Sequence, residues 1–326
     1  MKKCDFSNNF TTYICDENYY MSGKIRFAPS PTGYLHDGHL LSALYVWAAA
    51  KKWNLKIHLR IEDHDQSRAR PAYVEGIRED LAWLGFHYDS ESIQSARNDI
   101  YIAALKKLES KSLVYPCYCS RKQLLAENPQ SETGEIIYQG KCYYRREMAS
   151  SFDMTQGPYP VGEPVEPPHN LRFIVPDKVI EWHDLRLGNF HENPKLQCGD
   201  FPIRDRDNQW TYQFAVCVDD IDENITHIVR GEDIRNSTAR QIALMEALGR
   251  TDRPIYLHHP LIVDENNKKL SKRELAHSLR QDKEAGVTPE MLFGRVCYKA
   301  HLTESEAPIT LQDAVSLVAD SLPSNT

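Results

Sequence analysis

Short apolar runs and amphipathic stretches take turns along the chain from Lys24 onward. KIRFA at 24–28 and KIHLRI at 56–61 are β-branched and apolar enough to be strands, while His39–Trp53, Ala72–Leu84 and Asp99–Leu108 carry the 3.6-residue period of helices. Strands alternating with helices predict a parallel sheet covered by helices on its faces. Residues 150–170, SSFDMTQGPYPVGEPVEPPHN with its neighbours, are rich in Pro and Gly, predict a loop, and mark a boundary or an insertion. The alternation then resumes with strand-like LRFIV, VIEWHDL and HIVRG, an apolar stretch from Thr211 to Val218, and a helix over Ser237–Leu248 with Ser237 as its N-cap. The pattern predicts one α/β domain split by an insertion near residues 110–200. No internal repeat, heptad seam or low-complexity tract interrupts it.

Composition narrows the class without choosing a function. The 326 residues are 41% hydrophobic and 26% charged, with 15 Gly and 18 Pro, which excludes collagen-like and disordered chains. The longest apolar run, Leu40 to Ala50, stops at Lys51 and Lys52, short of the ~20 residues a membrane-spanning helix needs. Residues 1–22 are polar and aperiodic, lack an apolar signal core, and are expected to be a flexible extension or a misplaced start before Met21. The net charge of −7 supplies no global field for nucleic acid. The expected setting is the cytosol, with no membrane contact and a monomeric chain. Eight cysteines there are reduced thiols or metal ligands rather than a disulfide framework. Cys4, Cys15, Cys198, Cys217 and Cys297 are scattered as small buried apolar residues would be, whereas Cys117, Cys119 and Cys142 cluster.

Two motifs carry anion chemistry. RFAPSPTGYLHDGH at 26–39 is a strand, a Pro and Gly turn, and then His36 and His39 three residues apart where a helix opens. Backbone donors and the positive end of a helix dipole face any phosphate placed there. KKLSKR at 268–273 supplies cations in a loop after strand-like YLHHPLIV, with Lys269 lying 230 residues beyond His39. Either string alone is common on protein surfaces. An HxGH at the first strand–helix junction followed by a KxSK loop late in the same domain is the two-part signature of class I aminoacyl-tRNA synthetases. YPCYCSRKQL followed by GEIIYQGKC adds a CxC and a YxxxC. Three thiolates leave one position of a tetrahedral zinc open, for which Tyr138, Tyr143 and water are the nearby donors.

Together with RIEDHD at 60–65, WTYQFAVCVDD at 210–220 and IVRGEDI at 228–234, these strings resemble the glutamyl-tRNA synthetase family over roughly residues 24–275. Only 53 residues follow Arg273, fewer than an anticodon-binding region needs, which makes the short glutamyl-Q tRNA(Asp) synthetase branch the expected match. That resemblance implies a Rossmann-type, doubly wound parallel α/β sheet with a zinc-bearing insertion and a short helical C-terminal part. The implied divisions are an extension at 1–22, catalytic halves at 23–110 and 201–275, an insertion with an acceptor-type subdomain at 111–200, and a helical segment at 276–326. It also implies activation of L-glutamate by ATP with Mg2+, and transfer to queuosine in the anticodon of tRNA(Asp). His36 and His39 would hold the triphosphate, Gly38 would leave room for adenine, and Lys272 beside Lys269 would neutralise the leaving pyrophosphate. Arg26 and Tyr212 would hold one glutamate carboxylate, Arg230 the other, and Glu62 with Ser30 the ammonium. One structural Zn2+ would be bound by Cys117, Cys119, Tyr138 and Cys142. Arg273 stands where a serine is common, leaving Lys272 in place. The competing expectations are a truncated glutamyl-tRNA synthetase charging a tRNA 3′ end and a non-catalytic binding paralogue.

Overall fold

The computed structural model describes residues 23–131, 134–144, 169–262 and 277–323. Strand β1 (Lys24–Phe27) leads to α1 (Asp37–Trp53), β2 (Lys56–Ile61), α2 (Pro71–Leu84), β3 (Ser90–Ile93) and α3 (Asn98–Ser110). Next come β4 (Val114–Cys117), α4 (Arg121–Glu127), β5 (Asn170–Phe173), β6 (Ile180–Asp184), β7 (Gly188–Glu192), α5 (Pro194–Cys198) and β8 (Pro202–Arg204). The chain closes with α6 (Tyr212–Asp222), β9 (His227–Gly231), α7 (Thr238–Ala247), β10 (Ile255–His259), α8 (Leu279–Glu284), α9 (Pro289–Lys299) and α10 (Leu311–Ser321).

The main sheet runs β3-β2-β1-β9-β10-β6-β7 and is parallel except for the β6–β7 hairpin at one edge. This is the expected doubly wound α/β architecture, its winding reversing between β1 and β9. One feature differs from expectation: β6 and β7 fall within the 111–200 span read as insertion, yet β6 pairs with β10 and extends the main sheet. Local periodicity identifies a strand but not its neighbour. The smaller antiparallel sheet, β4-β5-β8, takes two strands from that span and its third, β8, from just beyond it. The loop read at 150–170 lies outside the described residues apart from its last two positions, and no described helix is long and apolar enough to cross a membrane.

Period-two alternation sorts the strand residues between two faces. Ile25, Phe27, Ile57, Leu59, Val229 and Leu257 join α1 and α2 in one core, whereas Ile228 and Tyr256 join α3, α6 and α7 in the other. Between the apolar positions, Arg26, His58, Arg60, Arg230 and His258 are therefore turned toward the α6 and α7 side. Helix α1 is apolar on most of its circumference and is covered again on its outer side, where Leu292, Phe293 and Val296 of α9 and Val315 and Val318 of α10 complete the same core. Asp37 at its start is gripped by Arg295 at 2.6 Å and Lys299 at 2.9 Å. The C-terminal helices are thus part of the core that covers one face of the main sheet. Helix α7 starts one residue later than expected, and Ser237 does not cap it with its side chain; its hydroxyl accepts from Gln213 at 2.9 Å.

Phe293 is 1% exposed and meets Phe86 edge-on. Phe293→Ala is expected to cost about 3–5 kcal/mol in urea unfolding, as other large core truncations do, with fluorescence and circular dichroism shifting together. A separate early transition would contradict a shared core.

Candidate functional site

The site lies at the carboxyl ends of the parallel strands, beside the β1–β9 reversal, the place where open α/β sheets bind ligands. Helix α1 starts at Asp37, two residues before the expected start at His39, and His36 is its N-cap, with Nδ1 accepting the Gly38 N–H at 3.1 Å. His39 Nδ1 accepts the His36 N–H at 3.3 Å. Because an amide nitrogen always donates, both Nδ1 atoms must be unprotonated, and each neutral ring keeps its proton on Nε2. Burial, with the neighbouring His36, pushes the His39 pKa down to about 3. Both rings of the motif therefore carry their N–H on Nε2, at the positive end of a helix. Gly38 packs against the His36 ring, which a Cβ there would approach at 3.1 Å. Lys269, Lys272 and Arg273 lie outside the described residues.

Behind this motif, α6 delivers acids to the arginines of the sheet. Asp220 Oδ1 accepts from Arg26 Nε at 3.0 Å and from Arg60 Nη2 at 2.6 Å, and Glu223 Oε2 accepts from Arg60 Nε at 2.9 Å. Burial raises the Asp220 carboxyl, but Arg26 and Arg60 outweigh it and hold the group below its ordinary range. Asp219 is likewise bonded to Gln94, Arg97 and Tyr101. Glu62 is only 5% exposed, with its nearest cation, Arg60 Nη1, at 3.7 Å. Burial pushes its pKa up to about 7, with Arg60 and Arg26 offsetting the effect only in part. A carboxylate so poorly compensated is suited to an incoming ammonium.

Arg230 is the opposite case. It is 5% exposed, and its three hydrogen bonds go to His258 Nε2 at 3.0 Å, Gln241 Oε1 at 2.6 Å and Thr238 Oγ1 at 2.8 Å, all uncharged acceptors. Its charge is solvated but not cancelled, which leaves it open to an anion. Tyr212 begins α6 half-buried, and its phenol is raised by burial, with Glu62 adding to the effect and Arg230 and Arg26 opposing it, the three groups with which it was expected to act. Ser30 is exposed in the loop after β1, and no described hydrogen bond joins its side chain to Glu62; the Glu62 amide is instead held by the Pro29 carbonyl at 3.1 Å. Sequence reasoning did not single out Arg60, Asp220, Glu223, His258 or Asp184. RIEDHD and CVDDIDE contain three of them, but their pairing spans 160 residues or more.

The thiols of Cys117, Cys119 and Cys142 are buried within 4.8 Å of one another and could hold a metal ion. Tetrahedral Zn–S bonds of ~2.3 Å put sulfurs ~3.8 Å apart, so the spacing fits. Tyr138 Oη lies 3.5 Å from Cys117 Sγ and 3.8 Å from Cys119 Sγ and accepts the Cys142 N–H at 2.9 Å, whereas Tyr143 packs outside the group against Tyr115. Burial and the charge of Cys117 push the Cys119 thiol up to about 11 when no metal is bound. Gly199, at φ +63°, passes so close to the Tyr138 backbone that any Cβ would strike its carbonyl. Arg172 stacks on the Tyr138 ring at 3.9 Å.

Residues 23–316 match the family model described as tRNA synthetases class I (E and Q), catalytic domain. The glutamate–tRNA ligase of Aquifex aeolicus is 39% identical over 84% of this chain, which spans 56% of that relative's length. The glutamyl-Q tRNA(Asp) synthetase of Symbiobacterium thermophilum is 35% identical over 89% of this chain and 90% of its own length. The solved glutamate–tRNA synthetase of Elizabethkingia anophelis superposes with a TM-score of 0.69 at 26% identity, covering 91% of this chain and 66% of that one. The chain belongs to the class I tRNA synthetase family of the glutamate and glutamine type.

Proposed function

We propose that the protein activates L-glutamate with ATP to form glutamyl-adenylate and transfers the glutamyl group to queuosine in the anticodon of tRNA(Asp). The observation that carries the first half is the contrast between Arg230, a buried cation held only by neutral acceptors, and Glu62, a buried acid whose ion pair to Arg60, at 3.7 Å, compensates it only in part. An amino acid with a second carboxylate complements that pair. Arg26 and Tyr212 take one carboxylate, Arg230 the other, and Glu62 the ammonium, with Ser30 reaching it from the loop. In-line attack of the glutamate carboxylate on the α-phosphorus needs positioning and charge stabilisation rather than a side-chain nucleophile. The Nε2–H donors of His36 and His39 hold the triphosphate, Gly38 leaves room for adenine, and Lys272 with Lys269 neutralises pyrophosphate; Mg2+ arriving with ATP would supply further charge neutralisation.

Transfer to queuosine is supported by the fit of Cys117, Cys119, Tyr138 and Cys142 to the ligand pattern of the short branch, and by relatives of that name aligning along 90–91% of their own length. The cis hydroxyls of a queuosine ring mimic the ribose diol of a tRNA 3′ end, so one adenylate site serves either nucleophile. Zn2+ in the thiol group would cross-link the segments around β4 and residues 138–142, a structural contribution.

Without tRNA, the purified protein is expected to catalyse pyrophosphate exchange with glutamate at least about tenfold better than with glutamine, the loss of one charge-assisted hydrogen bond. Labelled glutamate on tRNA, mapped by base-specific nuclease under mildly acidic conditions, is expected at the anticodon only when queuosine is present. Label on the 3′ adenosine would favour the glutamate–tRNA ligase reading instead. Metal analysis should find one zinc per chain, lost in Cys142→Ser with adenylate formation largely retained; equal zinc in both proteins would contradict the site.

A further inference from the structure

We propose that Asp184 and His258 form a relay that aims the Arg230 guanidinium and thereby sets the preference for a carboxylate over an amide at the end of the bound amino acid. The role rests on the glutamate site proposed above and concerns how that site is held. Neither residue belongs to a motif in the sequence, and they meet across 74 positions.

Asp184, at the end of β6, is fully buried. Its Oδ1 accepts the Arg186 and Leu187 N–H groups at 3.0 and 2.9 Å, and its Oδ2 accepts from the His258 N–H at 2.9 Å and His258 Nδ1 at 2.7 Å. Four donors on one carboxyl stabilise its charged form, and although burial raises the group, His258 and these amides bring it below the usual carboxylate range. An ionised Asp184 can only accept, so His258 Nδ1 must carry a proton. Burial, together with Arg230, disfavours a second proton on the ring. Nε2 of His258 is therefore a lone pair, and it accepts from Arg230 Nε at 3.0 Å. The carboxylate fixes the tautomer and the tautomer fixes the guanidinium.

A guanidinium has five N–H donors. Three are committed, to His258, Gln241 and Thr238, and with Nε occupied the two that remain sit one on each terminal nitrogen. That is the pair that grips both oxygens of a carboxylate. Gln241 cannot rotate away, because its amide donates to Gln213 Oε1 at 2.8 Å. A glutamine substrate would turn an amide N–H toward one of these donors. Without the relay, Arg230 could swing, present one donor, and lose the distinction.

The test is pyrophosphate exchange by the full-length protein with glutamate and with glutamine. His258→Phe keeps a ring to pack against Trp182 but has no acceptor. It is expected to raise the glutamate KM about tenfold or more and to erode the glutamate-over-glutamine preference by a similar factor, as for one charge-assisted bond, with the ATP KM within about twofold. His258→Gln, whose amide oxygen reaches the Nε2 position, is expected to recover most of the preference. Asp184→Asn places an NH2 among four donors, turns the ring to its other tautomer, and should give the same loss should the Phe variant not fold. An undiminished preference in the Phe or Asn variant, or a Gln variant no better than Phe, would overturn the relay. Absence of glutamate-dependent exchange in the unaltered protein would contradict the proposed function itself, and this role with it.

Discussion

Burying arginines in the interior of a parallel sheet is the constraint on which this structure turns. Arg26, Arg60 and Arg230 stand on three strands, all within 5% of full burial, and a buried charge without compensation is among the costliest features a fold can contain. Helix α6 answers for two of them. Asp220 bonds both Arg26 and Arg60, and Glu223 bonds Arg60, so the helix is tied to the sheet by charge as well as by Phe214 and Val218 in the apolar core. Arg230 is treated differently, receiving His258, Gln241 and Thr238 instead of an acid. The fold satisfies its hydrogen bonds without placing an acid directly against it, and the proposed glutamate carboxylate site rests on that difference.

The same bookkeeping of donors and acceptors explains the other groups. At the start of α1 two imidazoles accept backbone amides and are left with donors, as phosphate oxygens require. At the end of β2 an acid is buried with too little positive charge near it, as an ammonium requires. In the proposed reading each deficit is complementary to one part of an amino acid or a nucleotide, and catalysis there consists in holding the reactants in line and balancing charge as it moves.

The alternation of strands and helices, and the strand, turn and histidine-bearing helix start of 26–39, could be read from sequence because they depend on residues close together in the chain. Cys117, Cys119 and Cys142 were legible for the same reason, their spacing being short. Arg60 was not: in KIHLRI it reads as the solvent-facing member of an alternating strand, and only the arrival of Glu223 from 163 residues away makes its burial possible. The Asp184–His258 pair depends on β6 lying beside β10, which no local pattern encodes. Charged residues inside a fold are legible only once the tertiary partner is known, whereas turn and cap chemistry is written locally.

The central claim is that the site is charge-deficient in a pattern that glutamate completes. Isothermal titration of glutamate near pH 7, in buffers of different ionisation enthalpy, tests it directly. Burial pushes the Glu62 pKa up to about 7 in the free protein, so near neutral pH part of the population holds a proton there. An ammonium bound beside it favours the carboxylate, lowers that pKa, and expels the proton. The account predicts release of a fraction of a proton per glutamate near pH 7, less at pH 8.5 where more of Glu62 is already ionised, and none from this position in Glu62→Gln. No release, or the same release from the Gln variant, would contradict it.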